Sequence, residues 1–205
     1  MKGLFVLGLT GPSGAGKSEI ARFLRDKGYP LIDADGLVRE VQQPGSSCLT
    51  ALAEAFSPRI LRPDGSLDRR RLAELAFQSP EKTQLLNSIV HPAVIALSED
   101  RIRQAAESGA GAAVLDAPLL FESGMDHICD RTVAILAPPG ERLRRIRQRD
   151  GLTNEQAEMR MGAQPLDDYY TARASMVIHN DGNFAHLRAA ADQLAGELER
   201  WRRER

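Results

Sequence analysis

The chain has 205 residues, 42% of them hydrophobic, and a formal net charge of −1. That length suits one α/β domain with an inserted or appended subregion, and the near-neutral balance weighs against a nucleic-acid binder. The two cysteines, Cys48 and Cys129, stand far apart in no metal spacing, which argues against a disulfide framework; no apolar run is long enough to span a bilayer.

The chain opens with Leu4–Leu9, short, apolar and strand-like, and no signal-peptide pattern precedes it. A soluble cytoplasmic protein is therefore expected. Gly11-Pro12-Ser13-Gly14-Ala15-Gly16-Lys17-Ser18 follows and fits the pattern G-x-x-x-x-G-K-[ST]. Ile20, Phe23 and Leu24 then recur at helical spacing. Strand, glycine-rich loop and helix in that order make a phosphate-binding loop. Its glycines let the backbone curl into an anion nest, and the helix adds unpaired N–H groups and its dipole. Lys17 brings a full charge to the outer phosphates, and Ser18 offers a hydroxyl to magnesium.

Pro30–Asp35 reads as a second strand ending in two carboxylates, Asp33 and Asp35. Ligands in open parallel sheets sit beyond the carboxyl ends of strands, so both acids fall on the rim of the phosphate loop. An acid there can take a proton from an attacking hydroxyl or help hold magnesium; the plainer reading is a cap for the helix starting near Gly36. Residues 36–108 read as mostly helical: Leu37–Val41, Leu49–Phe56, Arg69–Phe77 capped by Asp68, and a helix opened by Ser79-Pro80-Glu81 with Leu85, Leu86 and Ile89 as its stripe. His91-Pro92 is expected to interrupt that helix before Ala93–Ala106. This helical excursion could close over a substrate.

Ala112–Asp116 is a buried strand ending in an acid, followed by the apolar Ala117–Glu122. For Leu119 to Phe121, core packing and substrate contact are equally good readings. Arg131–Leu136 is the next strand. The helix Glu141–Asp150 puts Arg142, Arg145 and Arg149 on one face, while Arg144 and Arg147 point to solvent. An arginine on a mobile lid can neutralise charge on a transferred phosphoryl group. Thr153-Asn154-Glu155-Gln156 is a capping box, and Gly151 between the two helices is a candidate hinge. Met176–His179 is the last strand. Leu187, Ala191, Leu194, Leu198 and Trp201 mark the buried stripe of the final helix.

With these motifs in place, nearly the whole chain resembles the dephospho-coenzyme A kinase family. The likeness rests on Gly8–Gly11 running into the phosphate loop, Ile32–Asp35, Pro44-Gly45, Asp64–Arg69, Leu86-Asn87 with His91-Pro92, Asp116–Glu122, Arg149-Asp150, and Arg160 with Gln164. The resemblance implies an α/β parallel-sheet P-loop kinase fold, with a core at about 1–35, 109–138 and 173–205. A helical coenzyme-A-binding region at about 36–108 and a helical lid at about 139–172 complete it. The implied reaction moves the γ-phosphate of ATP, with Mg²⁺, to the 3′-hydroxyl of the ribose of dephospho-CoA. Carried over by position, Gly11, Gly14, Ala15, Gly16, Lys17, Ser18 and Glu19 hold ATP, with Ser18 on the metal. Asp35 resembles the general base with Thr10 close by, and Arg145 the lid arginine. Asp33, His91, Asp116, Pro118, Leu119, Leu120 and Glu122 fall on the acceptor side. Departures are Pro12 after the first glycine, Glu19 after Ser18, Arg142 where the family often has glutamine, and Ser175 where it usually has aspartate. A monomer is expected, with an oligomer as the alternative, and no nucleic-acid or membrane partner. The rival readings are another P-loop small-molecule kinase, such as a nucleoside monophosphate kinase, and an ATP-binding switch without turnover.

Overall fold

The computed structural model describes residues 3–204. Five strands form one sheet: β1 (Phe5–Thr10), β2 (Leu31–Asp33), β3 (Ala112–Asp116), β4 (Arg131–Leu136) and β5 (Met176–His179), in the order β2-β3-β1-β4-β5. β1 lies parallel between β3 and β4, with Leu9 opposite Asp116 and Thr10 opposite Ala134. Every residue of β1 is buried, as a central parallel strand covered on both faces requires. The chain runs from β1 to β2, returns to β3, then crosses β1 to β4. The reversal in strand order falls at β1, where a ligand crevice is expected.

Two helices cover one face. α1 (Lys17–Asp26) buries Ile20, Ala21 and Leu24; α9 (Phe184–Glu204) buries Leu187, Ala191, Leu194, Ala195 and Leu198. These side chains share a core with Phe5, Leu7, Leu9, Val114, Val133, Ile135 and Ile178, and Trp201 packs at its margin. The opposite face carries a smaller cluster of Ala134, Leu136 and Tyr170, with Phe121 and Tyr169 against it. Tyr170 comes from α8 (Asp167–Thr171), the last turn before β5, and is 1% exposed. Tyr170→Ala should therefore cost about 3 kcal/mol or more of stability, the range for deleting a buried aromatic. A urea melt showing under 1 kcal/mol of loss would mean that α8 is not anchored there.

α6 (Pro139–Asp150) ends at Gly151 in a left-handed conformation, and α7 (Asn154–Gly162) begins with the expected capping box of Thr153 and Gln156. Ser175 and Thr132 exchange hydrogen bonds: Ser175 Oγ accepts from the Thr132 amide at 3.2 Å, and Thr132 Oγ1 accepts from the Ser175 amide at 3.1 Å. Serine thus satisfies a backbone N–H near the start of β4, and Thr132 returns the bond to the amide just before β5.

The chain divides into two compact units. Residues 33–101 form the second, and the rest of the chain the first. The second unit holds α2 (Ala34–Val41), α3 (Ser47–Ala55), α4 (Arg69–Ala76) and most of α5 (Pro80–Glu107). Ser46 and Asp68 cap α3 and α4. Gln42 accepts from Arg69 at 2.8 Å, tying the end of α2 to the start of α4.

Two expectations are corrected here. β2 stops at Asp33, and Asp35 lies in the first turn of α2 rather than in a strand. The cause is local: Asp33 Oδ1 accepts from the Asp35 amide at 3.1 Å and starts the helix as its N-cap. Pro92 does not interrupt α5, which runs unbroken through it. Proline inside a helix costs about 3 kcal/mol, yet Val90, Val94 and Ser98 are buried on one face across that point. Packing on both sides outweighs the missing N–H. Those residues, and not Leu85, Leu86 and Ile89, carry the buried stripe; Leu85 is exposed.

Candidate active site

The phosphate loop joins β1 to α1. Gly11, Gly14 and Gly16 all adopt positive φ. At Gly11, with φ +141°, a Cβ would strike the Ile135 carbonyl of β4; at Gly16 it would strike the Asn180 side chain. The loop therefore presses directly on the sheet and on the turn after β5, and only glycine allows it. Gly16 is the N-cap of α1 and has no side-chain capping bond. The helix N–H groups that follow face whatever the loop encloses.

Lys17, the first residue of α1, forms an ion pair with Asp116 at the end of β3. Both side chains are largely shielded, at 12% and 13% exposure. The register that sets Leu9 beside Asp116 brings this carboxylate to the loop. Ser18 is exposed in the first turn of α1, and Glu19 beside it pairs with Arg22. Thr10 is fully buried, and its hydroxyl donates to the Pro118 carbonyl at 3.1 Å. The Ala117 amide donates to the Leu9 carbonyl at 3.0 Å. These two bonds hold the segment after β3 against the end of β1.

That segment divides its side chains. Leu120 is fully buried and packs beneath Gly8, whereas Leu119 is 55% exposed. Of the two readings for this residue, the buried Leu120 side chain accords with core packing. Phe121 meets Tyr169 edge to face at 6.2 Å, and Tyr169 carries the Arg173 guanidinium 4.0 Å from its ring centre. Glu122 is held above the usual carboxylate range by loss of water, against which Arg173 works. Burial, with the Glu122 charge adding to it, pushes Tyr170 up to about 12.

α6 supplies the cations. Arg145 donates to the Gly14 carbonyl at 3.0 Å, the Ala15 carbonyl at 3.3 Å and Asn180 Oδ1 at 3.3 Å. Arg142 reaches the Ser13 carbonyl at 3.1 Å and is 6% exposed. Burial lowers the pKa of its guanidinium, which Asp167 opposes. Arg149 shares neither position; it pairs with Asp150, as does Arg160, and Asp150 is drawn down to about 2 mainly by the Arg149 hydrogen bonds. Arg144 is exposed and bonded to Glu141 and Gln148, as expected of a solvated residue.

Within the helical unit, Asp33 is committed to the α2 cap and Asp35 is exposed one turn on. His91 is half-buried in α5, and desolvation lowers its pKa, favouring a neutral ring. Asn180 is the residue that motif reading overlooks. It is 4% exposed, and its Nδ2 donates to the Ala15 carbonyl at 2.8 Å. The only sequence signal is an asparagine between a buried strand and Asp181-Gly182, which reads equally as a turn.

Among the described residues no group of three or more acids, histidines or cysteines forms a metal cluster. The donors beside the loop, a serine hydroxyl and a carboxylate, are hard oxygen ligands. They fit magnesium, which keeps waters and takes its remaining ligands from substrate phosphates. The glycine nest and Lys17 fit the phosphates themselves.

A parallel sheet in this order, with a glycine nest and lysine at the end of its central strand and arginines leaning on the nest, defines a P-loop kinase. The model of the dephospho-CoA kinase family matches residues 5–186. A dephospho-CoA kinase from Corynebacterium glutamicum is 42% identical over 192 residues, covering 94% of this chain and 96% of that one. A crystal structure from Thermus thermophilus is 34% identical with a TM-score of 0.80, covering 96% and 99% of the two chains. Dephospho-CoA kinase from Campylobacter jejuni, 23% identical with a TM-score of 0.63 over 94% and 96%, shares the fold. The chain belongs to the dephospho-CoA kinase family, and it is an enzyme.

Proposed function

We propose that the protein transfers the γ-phosphate of ATP to the 3′-hydroxyl of the ribose of dephospho-CoA, giving coenzyme A. The observation that carries this reading is the family match across the phosphate loop and the Asp116–Glu122 segment, joined to the Lys17–Asp116 pair. Entering phosphates compete with Asp116 for Lys17, so the lysine is already held at the nest. The nest amides and Lys17 then gather charge on the outer phosphates. Ser18, with Asp116 through water, would hold Mg²⁺. That ion would supply positive charge that offsets the negative charge of the phosphates.

Asp35 accepts the proton of the attacking hydroxyl; it is exposed and free of the capping bond that occupies Asp33. Thr10 fixes Pro118 and so sets the acceptor segment. Asp33, His91, Pro118, Leu119 and Glu122 are assigned to the acceptor, with residues 36–108 as the coenzyme-A-binding region and 139–172 as the lid. The protein works as a cytoplasmic monomer on soluble substrates. No helix among the described residues is long and apolar enough to cross a membrane.

The test is product formation from ATP with dephospho-CoA, set against nucleoside monophosphates, on one purified preparation. Coenzyme A should be the preferred product; faster transfer to a monophosphate would overturn the reading. Arg145 is assigned to the transferred phosphoryl group. Arg145→Ala should lower kcat about a hundredfold, and Arg144→Ala less than about twofold. Equal effects would remove Arg145 from the mechanism.

A further inference from the structure

We infer that Arg142 is a positioning residue for the nucleotide: with Arg145 and Asn180 it forms a belt of donors on the outside of the phosphate loop that turns the loop amides inward. The inference rests on the reading of this loop as the ATP site. Three consecutive loop carbonyls each receive a side-chain donor. The Ser13 carbonyl accepts from Arg142 Nε at 3.1 Å, the Gly14 carbonyl from Arg145 Nη1 at 3.0 Å, and the Ala15 carbonyl from Asn180 Nδ2 at 2.8 Å. Arg142 Nη2 also donates to Gln164 Oε1 at 3.2 Å. That oxygen accepts from the Ser13 amide at 3.0 Å, and Gln164 Nε2 donates to Ser13 Oγ at 3.3 Å. The nearest carboxylate oxygen, on Asp167, lies 3.8 Å from Arg142 Nη1.

A trans peptide unit is planar, with the C=O of one residue and the N–H of the next pointing opposite ways. Carbonyls of Ser13, Gly14 and Ala15 held outward therefore direct the N–H groups of Gly14, Ala15 and Gly16 to the other side. The Ala15 amide closes a turn to the Pro12 carbonyl at 3.1 Å. Those of Gly14 and Gly16 meet no acceptor among the described residues and stand ready for an anion. A glycine-rich loop has more backbone freedom than any other, so without the belt it would lose that freedom only on binding. Arginine suits the post at 142 because its planar fork serves Ser13 and Gln164 at once.

The test is calorimetric titration of acceptor-free protein with ATP, alongside KM and kcat for both substrates. Arg142→Met, which keeps the bulk and removes every donor, should weaken ATP binding about tenfold. Arg142→Gln, with one amide donor, should fall between. The acceptor KM should stay within about twofold, and kcat at saturating ATP within about threefold. Should the Met variant fail to fold, the Gln variant gives the same reading: at least about threefold weaker ATP binding supports the belt, and unchanged binding refutes it. A melting temperature that drops while ATP affinity holds would reduce Arg142 to packing. If dephospho-CoA is not phosphorylated at all, the proposed reaction fails but the titration still decides the belt.

Discussion

Lys17→Met should lower kcat/KM for ATP by about a thousandfold or more. Methionine keeps the apolar stem and removes only the charge. In a water-poor cleft a fixed cation aimed at charged oxygens is worth far more than in solution, and removing even one neutral donor of this kind costs about a hundredfold to a thousandfold. Lys17 is largely shielded, so solvent screens it little. The same substitution deprives Asp116 of its Lys17 partner. Some loss of stability must therefore be separated from the loss of rate by a melting curve on the same sample. Steady-state rates below the variant's melting point within tenfold of the parent would remove Lys17 from the phosphate site.

Asp35→Asn should lower kcat by roughly a hundredfold to ten-thousandfold, the span for removing a general base. ATP binding should be nearly unchanged, because Asp35 is no part of the loop. The substitution is isosteric at an exposed helix position, so stability should barely move. Asp33→Asn is the matched comparison. Asparagine caps a helix as well as aspartate does, so α2 keeps its start and the rate should fall much less than with Asp35→Asn. If the two variants fall equally, the base is not Asp35. If only Asp33→Asn is impaired, the roles of the two acids are exchanged.

Much of the fold is legible because its signals are local. The phosphate loop combines glycine spacing with a strand before and a helix after. β3, β4 and β5 are short apolar runs whose ends are marked by Asp116, by prolines after Leu136, and by Asn180 with Gly182. The capping box at Thr153 and the stripe of α9 need only neighbours in sequence. What escapes reading depends on distant partners. Proline at 92 is a breaker by propensity, and only the packing of Val90, Val94 and Ser98 overrides it. The carboxylate of Asp33 turns the chain about two residues earlier than its apolar pattern suggests. Arg142 and Asn180 find the loop through bonds spanning 129 and 165 positions in sequence. Helical spacing puts Arg142, Arg145 and Arg149 on one face, but it cannot tell which of them meets a carbonyl and which meets Asp150.

The anchoring of Tyr170 has a mechanical consequence. With α8 plugged into the sheet at one end and α6 bolted to the loop at the other, the hairpin between them has two fixed feet. Between them runs α7, nine residues and so about 14 Å long, from Gly151 to Gln164, which accepts from the Ser13 amide. Any displacement of that span would pull on the same serine that steadies the nest.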